Sequence, residues 1–154
     1  MSRVFKSFAD LIGNTPLVEI TSFHDNPKVK IYAKLEGNNP AGSVKDRPAL
    51  NMIRSAMERG EIKKGDKLIE ATSGNTGIAL AMIASMYELE LELVMPSSST
   101  RERTLTMEAF GAQVTLLENM EVCRDYAEEK AAKGGVFILN QFANPDNYEA
   151  HVKT

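Results

Sequence analysis

The spacing of apolar residues separates an extended first part of the chain from a repeating remainder. Residues 29–35 alternate apolar and polar side chains at period two, which predicts a half-buried strand. Residues 16–20 form a second strand candidate after the turn signal Gly13-Asn14. From Ser43 the apolar residues recur at helical spacing, and Gly60 is a natural stop for that helix.

The later residues alternate short apolar strands with single helices. Such alternation predicts right-handed crossovers and a parallel sheet. The helix at 77–86 is apolar on every side, so we expect it to be buried between the sheet and a second layer. The predicted fold class is α/β, an open parallel sheet with βα repeats in three layers (α/β/α). Strands are predicted at 68–71, 91–95, 114–117 and 136–139, and further helices at 99–111 behind a capping box, at 122–133, and from Pro145 with Asn144 as cap.

The strand pair within residues 16–35 has no partner in this repeat. Because a two-stranded ribbon alone is marginal in water, we expect it to belong to a larger second domain that is mostly absent. The predicted organisation is an extended segment (1–37), a small α/β domain (38–143), and the start of a helix leading into a missing C-terminal domain (144–154). We therefore expect the chain to be the front part of a larger protein.

Composition narrows the class of protein. Apolar residues make up 43% of the chain and charged residues 25%, which is typical of a globular protein, and the net charge is −3. No basic tract interleaved with aromatics is present, so a nucleic-acid partner is not expected. The longest strongly apolar stretch, 78–86, is too short to span a bilayer, and the first residues lack a signal-peptide pattern.

The few histidines and cysteines point away from metal chemistry. His24 lies in a predicted loop and His151 lies near the end of the chain, and with one cysteine they give no metal site by spacing. Cys123 cannot form an internal disulfide, which fits a reducing cytoplasm. Its charged helical surroundings contain no nearby histidine, so an inert thiol is the simpler interpretation.

The segment Thr72-Ser73-Gly74-Asn75-Thr76-Gly77 carries the first candidate chemistry. It leaves a parallel strand and enters a helix, at the sheet edge where open α/β proteins bind ligands. Free N–H groups at the helix start suit a carboxylate or phosphate, the hydroxyls add donors, and Gly74 allows close approach or a positive φ. The same residue types also suit an ordinary well-capped turn, so both interpretations stay open at this point.

Two further residues extend the candidate site. Lys45 lies at the opening of a helix, and a primary amine beside an anion cradle is what Schiff-base chemistry on an amino acid requires. A surface lysine paired with Asp46 is the plainer alternative, and Arg47 fits a structural ion pair equally well. Gln141 follows the 136–139 strand at the same sheet edge, where its amide could bridge a carboxylate or simply begin a loop.

Several segments together resemble the cysteine synthases (O-acetylserine sulfhydrylases), members of the fold-type II pyridoxal-phosphate enzymes. The likeness covers nearly the whole chain, in order, and residues 38–42 resemble the B-type more than the A-type. Pro48 departs from the family pattern and predicts an irregular start to the Lys45 helix. The matching segments are Ile12-Gly13-Asn14-Thr15-Pro16-Leu17, residues 34–40, Gly42-Ser43-Val44-Lys45-Asp46-Arg47, residues 70–77, Gln141-Phe142 and residues 144–147.

The resemblance implies a role for each matching residue. Lys45 would form the Schiff base with pyridoxal 5′-phosphate and later remove the substrate α-proton. Asn75 would contact the 3′-oxygen of the cofactor. Thr72, Ser73, Gly74 and Thr76 would hold the substrate carboxylate together with Gln141, in a loop that closes on it. The phosphate-binding loop and the serine at the pyridine nitrogen would lie beyond Thr154.

The implied reaction is β-replacement, which makes L-cysteine from O-acetyl-L-serine and sulfide. Cystathionine β-synthase and O-phosphoserine sulfhydrylase share these residues and remain alternatives. An inactive half-domain or a binding module remains an alternative of another class. The resemblance also implies a homodimer acting on small-molecule substrates. Composition and residue spacing predict a cytoplasmic protein with no metal, nucleic-acid or membrane partner. Because half of the family's site would be missing, we expect the isolated 154-residue chain to be inactive.

Overall fold

The structure is a computed structural model that describes residues 4–23 and 25–154. The predicted loop residue His24 lies outside the described residues. Short 3₁₀ helices at Phe8–Leu11 and Glu36–Asn38 interrupt the part that the sequence predicts as extended. The longer elements are β1 Leu17–Ile20, β2 Ile31–Lys34, α1 Asp46–Glu58, β3 Lys67–Ala71, α2 Asn75–Met86, β4 Glu90–Pro96, α3 Arg101–Ala109, β5 Gln113–Leu117, α4 Met120–Ala132, β6 Phe137–Ile138 and α5 Pro145–Lys153.

Strands β3 to β6 form one parallel sheet in the order β5-β4-β3-β6, as the strand–helix alternation predicts. β3 pairs with β4 along its whole length, and with β6 only at Leu68↔Phe137 and Ile69↔Ile138. Because β3 has neighbours on both sides, its residues from Leu68 to Ala71 are buried. The carboxyl ends of β3 and β6 therefore lie side by side.

Helices cover both faces of this sheet, which confirms the three layers. Ile53 of α1, Leu80 of α2 and Met107 of α3 share one core with Leu93 of the sheet. A second cluster packs Cys123 and other α4 residues against the opposite face. α2 packs against both α1 and α3, which explains why it is apolar on every side.

The first two strands form a separate antiparallel ribbon, as predicted, in the register Leu17↔Lys34 to Ile20↔Ile31. Apolar side chains of this ribbon are largely exposed, with 60% of Leu17 and 48% of Tyr32 accessible to solvent. Arg47 of α1 pairs with Glu36, which lies in the segment after β2, at 2.7 Å. This ion pair connects that segment to α1. The ribbon is thus attached to the α/β part through polar contacts near its base.

Two local predictions concern how helices begin, and the first of them is wrong. The capping box at Ser99 does not form, because α3 begins one residue later, with Thr100 as N-cap and no side-chain hydrogen bond closing the end. The start of α1 is only partly regular: the N–H groups of Asp46 and Arg47 donate to carbonyls three residues back, on Ser43 at 3.4 Å and on Val44 at 3.3 Å, as in a 3₁₀ turn. Proline occupies the third helical position, where a backbone N–H has no partner within the helix anyway. The Lys45 carbonyl accepts from Ala49 N at 3.0 Å, as in an ordinary first turn.

Other features concern membranes and metals. Across residues 4–23 and 25–154, no helix is long and apolar enough to cross a membrane. The same residues contain no group of three or more His, Cys, Asp and Glu that could hold a metal ion. His151 is exposed on α5. Cys123 is fully buried, and burial raises the pKa of its thiol, which disfavours the reactive thiolate.

Candidate active site

The candidate site is built from two loops that leave neighbouring strands. The β3–α2 loop (residues 72–74) follows β3, and residues 139–144 follow β6. Since the two strands are parallel and paired, both loops emerge at the carboxyl edge of the sheet, where ligands bind in open α/β folds. The amide of Gln141 joins the second loop to the end of β3, because its Nε2 donates to the carbonyl oxygen of Ala71 at 3.1 Å.

The start of α2 has no side-chain cap. Gly74 is the N-cap residue, and its carbonyl accepts from Gly77 N at 3.0 Å and from Ile78 N at 3.4 Å. Among the described residues, no acceptor bonds the N–H groups of Gly74, Asn75 and Thr76. An ordinary capped turn would have satisfied at least one of them. These free donors and the positive end of the helix dipole favour the anion-binding interpretation.

The two glycines of this segment play different parts. Gly74 has a φ of −133°, so of the two uses expected of this glycine the structure does not show the positive φ. A Cβ at Gly74 would meet no heavy atom within 4 Å, which leaves open space beside the free N–H groups. A Cβ at Gly77 would lie 2.7 Å from Met107 Cε and 2.9 Å from Thr72 Cγ2. Gly77 therefore permits the close packing of α2 against α3 and against the loop.

Lys45 occupies the N-cap position of α1 and is half-buried. Its ammonium group makes no hydrogen bond or ion pair with any residue that the structure describes. The alternative pairing with Asp46 does not form. The Asp46 carboxylate is fully buried and accepts from Ala41 N at 2.6 Å instead. The amine of Lys45 is thus free for chemistry, although no contact joins it to the β3–α2 loop.

Asp46 holds the loop that precedes Lys45. One of its carboxylate oxygens, Oδ1, is buried without a hydrogen-bond partner among the described residues. Burial raises the pKa of Asp46, and backbone N–H groups of the preceding turn oppose that rise. The carboxylate therefore stabilises the tight turn around Gly42, which has a φ of +86°. This turn fixes where α1, and with it Lys45, begins.

Arg47 has the structural role that the sequence left open. It lies only 5% exposed, donates to both carboxylate oxygens of Glu36, and also donates to Thr15 Oγ1 at 3.1 Å. The guanidinium group is the main reason why the pKa of Glu36 falls to about 2. Asn39 completes the network by accepting from Gly13 N at 2.8 Å. The network anchors the first residues of the helix that Lys45 begins.

Glu70 is a site residue that sequence reasoning missed. Its carboxylate is 2% exposed and accepts from Asn140 N at 2.9 Å and from Gln141 N at 3.1 Å. Desolvation raises its pKa, while these N–H groups act in the opposite direction. Asn140 has a left-handed φ of +53°, a conformation that the two hydrogen bonds help to hold. The sequence signal that could have identified Glu70 is its charge inside the otherwise apolar strand 68–71.

Arg103 is a second residue that sequence reasoning missed. It lies on α3, and its Nη1 donates to the carbonyl oxygen of Ser73 at 3.0 Å. The spacing of α3 residues gives no hint of this contact, because it depends on how α3 packs beside α2. Arg103 thus bonds the β3–α2 loop itself, whereas Gln141 bonds Ala71, the last residue of β3 before the loop.

Comparison with known proteins identifies the family. Residues 8–154 match the family model described as pyridoxal-phosphate dependent enzyme. Cysteine synthase B of Pseudomonas aeruginosa is 51% identical over 154 residues, which cover 98% of this chain and 52% of that protein. The crystal structure of a hydrogen sulfide-producing enzyme from Fusobacterium nucleatum matches with a TM-score of 0.91 at 46% identity, covering 100% of this chain and 51% of the other.

A further solved structure agrees with these two. O-acetyl serine sulfhydrylase isoform 3 from Entamoeba histolytica matches with a TM-score of 0.90 at 41% identity, covering 97% of this chain and 48% of the other. The chain spans about half the length of these three proteins. Because the family model covers almost all of the sequence, the chain belongs to the pyridoxal-phosphate-dependent enzyme family.

Proposed function

We propose that this chain is the N-terminal portion of a cysteine synthase, which makes L-cysteine from O-acetyl-L-serine and sulfide with pyridoxal 5′-phosphate. The observation that carries the proposal is the unpaired amine of Lys45 on α1, in a chain of this family. The relatives named cysteine synthase B and O-acetyl serine sulfhydrylase support the substrate class. Residues 1–37, 38–143 and 144–154 keep their proposed division, which the separate β1–β2 ribbon supports.

The donor set of the site fits the cofactor and an amino acid. Lys45 offers a partner-free primary amine, the group that bonds the aldehyde carbon of pyridoxal phosphate. The free N–H groups and hydroxyls at the start of α2 suit a carboxylate. When bound, the cofactor withdraws the electron pair left on Cα. The residues proposed to hold the cofactor are Lys45 and Asn75, and those proposed to hold the substrate carboxylate are Thr72, Ser73, Gly74, Asn75, Thr76 and Gln141.

Residues of this chain act in each step of the proposed β-replacement. The loop donors bind and orient the substrate carboxylate, which places the Cα–H bond near Lys45. The amine of Lys45, once released from the cofactor, accepts the α-proton. The Cβ–O bond then breaks and acetate leaves with its electron pair. Sulfide forms the new Cβ–S bond, and Lys45 returns the proton to Cα. Closure of the β3–α2 loop excludes water during these steps.

The test identifies, by covalent labelling, the lysine that bonds the cofactor. The full-length protein is incubated with pyridoxal phosphate, reduced with borohydride and digested, and the modified peptide is identified by mass spectrometry. We expect the label on Lys45, and its loss in Lys45→Ala. Lys133→Ala is the matched control, since Lys133 is exposed and has no partner among the described residues. A label that stays unchanged in Lys45→Ala would remove Lys45 from its role.

Substrate profiling then separates the related reactions. Acetylserine, phosphoserine and serine are offered with sulfide or homocysteine, and the amino-acid product is measured. We expect acetylserine with sulfide to be used best. Preference for phosphoserine would favour an O-phosphoserine sulfhydrylase, and use of serine with homocysteine would favour cystathionine β-synthase. The homodimer remains a prediction from the resemblance, and the cytoplasmic location remains a prediction from the single cysteine.

A further inference from the structure

We propose that Arg103 is a positioning residue for the β3–α2 loop, which it holds in the orientation that binds the substrate carboxylate. This inference rests on the proposed function for the identity of the carboxylate. The contact that carries it is the hydrogen bond from Arg103 Nη1 to the carbonyl oxygen of Ser73. Among the described residues, Arg103 is the one charged side chain that bonds this loop.

The hydrogen bond fixes the plane of a peptide group. No cis peptide bond occurs in the described chain, so the Ser73 carbonyl and the Gly74 N–H point in opposite directions. Since the carbonyl faces Arg103 on α3, the Gly74 N–H is directed away from α3. α2 packs against both α3 and α1 in this helical layer. The Gly74 N–H, directed away from α3, bonds no acceptor among the described residues and is open to a ligand.

The loop has little else to hold that peptide in place. Gly74 carries no side chain, no heavy atom lies within 4 Å of its Cβ position, and its N–H bonds no acceptor among the described residues. Thr72 is fixed by its own N–H, which donates to the Val94 carbonyl at 3.0 Å, but Ser73 has no comparable bond. Without Arg103, the Ser73–Gly74 peptide could rotate and lose its donor direction.

The guanidinium group also adds charge where an anion is proposed to bind. It uses one of its five N–H donors on Ser73 and stays exposed, so its positive charge reinforces the helix dipole of α2. The effect acts on binding of the carboxylate, which is equally present in the substrate and in the transition state. Loss of such uniform binding raises KM and leaves kcat nearly unchanged.

The experiment compares Arg103→Ala and Arg103→Lys with Arg101→Ala in the full-length holoenzyme. Arg101 is the matched control because it is exposed on the same helix and has no partner among the described residues. Hydrogen exchange of the peptide spanning 72–77 and steady-state kinetics with O-acetylserine are measured. A lost hydrogen bond of this kind corresponds to roughly two- to tenfold in an equilibrium.

We expect Arg103→Ala to speed loop exchange and raise KM by about that factor of two to ten, with kcat changed less than twofold. Arg103→Lys should recover part of both, because it keeps the charge but not the planar fork. Loop exchange or KM equal to that of Arg101→Ala would overturn the proposal. If the wild-type protein lacks the activity altogether, the proposed function fails, while the exchange measurement still decides whether Arg103 holds the loop.

Discussion

Arg47 and Glu36 form a two-pronged ion pair, in which Arg47 Nε lies 2.7 Å from Glu36 Oε2 and Arg47 Nη2 lies 2.8 Å from Glu36 Oε1. Side-chain exposure is 4% for the arginine and 20% for the glutamate. A planar guanidinium group matches a carboxylate in this geometry better than an ammonium would. The pair joins the segment after β2 to the helix that Lys45 begins, so it couples the stability of the fold to the position of the proposed cofactor lysine.

This pair predicts a loss of stability in acid. The pKa of Glu36 is lowered from an ordinary 4.5 to about 2 in the folded chain. The ionised form is therefore favoured by folding, and its contribution is fully present above the ordinary value and lost as pH falls from there towards 2. A shift of this size corresponds to at most about 3 kcal/mol.

The test is urea unfolding of Glu36→Gln against the parent protein. We expect the variant to lose up to about 3 kcal/mol near neutral pH, and the difference to shrink as pH falls below the ordinary glutamate pKa. Glu58→Gln is the control, because Glu58 is exposed on α1 and has no partner among the described residues. A stability difference that does not depend on pH would contradict the assignment.

Gly77→Ala should destabilise the protein through the contact between α2 and α3. Alanine gains up to about 1 kcal/mol of helix propensity, whereas overpacking a filled core costs about 1–3 kcal/mol. The new Cβ would lie 2.7 Å from Met107 Cε, and Met107 is fully buried and has little room to move. The clash therefore outweighs the propensity, and we expect a lower urea midpoint.

Two further variants check the cause of that loss. Gly37→Ala adds a methyl group where no heavy atom lies within 4 Å, so its stability should stay close to that of the parent. Met107→Leu shortens the side chain with which the Gly77→Ala methyl group clashes. The loss of unfolding free energy in the double variant should therefore be smaller than the sum of the losses in the two single variants. Additive effects in the double variant would place the strain elsewhere, for example at Thr72.

The isolated chain of residues 1–154 should bind pyridoxal phosphate weakly and without dependence on Lys45. The resemblance assigns the phosphate-binding loop and the pyridine-nitrogen serine to positions beyond Thr154, so residues 1–154 would supply only the proposed cofactor lysine and the proposed carboxylate loop. The measurement is an absorbance titration of this chain with the cofactor, beside the same titration of Lys45→Ala. Tight binding that disappears in Lys45→Ala would show that the missing contacts are not needed.

The sequence predicts the framework of the site better than its connections. Parallel strands and the order of the helices follow from periodicity, and the position of the β3–α2 loop follows from topology. The position of Gln141 at the same sheet edge as that loop could also be predicted from the sequence. The role of Arg103 could not be predicted, because its contact with Ser73 depends on packing between helices that are separate in sequence. The wrong capping box at Ser99 shows that motif spacing alone does not fix a helix boundary.

Glu70→Gln should weaken the junction between the end of β3 and residues 139–144. The carboxylate accepts from two backbone N–H groups, and a glutamine amide must turn its NH₂ towards one of them. That N–H is then left without an acceptor, which costs about 1–3 kcal/mol in a buried site. Urea unfolding measures the loss, with Glu90→Gln as the control because Glu90 begins the neighbouring strand β4 and its ion pair with Lys67 is exposed. Equal stability of the two variants would show that the Glu70 carboxylate does not hold Asn140 and Gln141 in place.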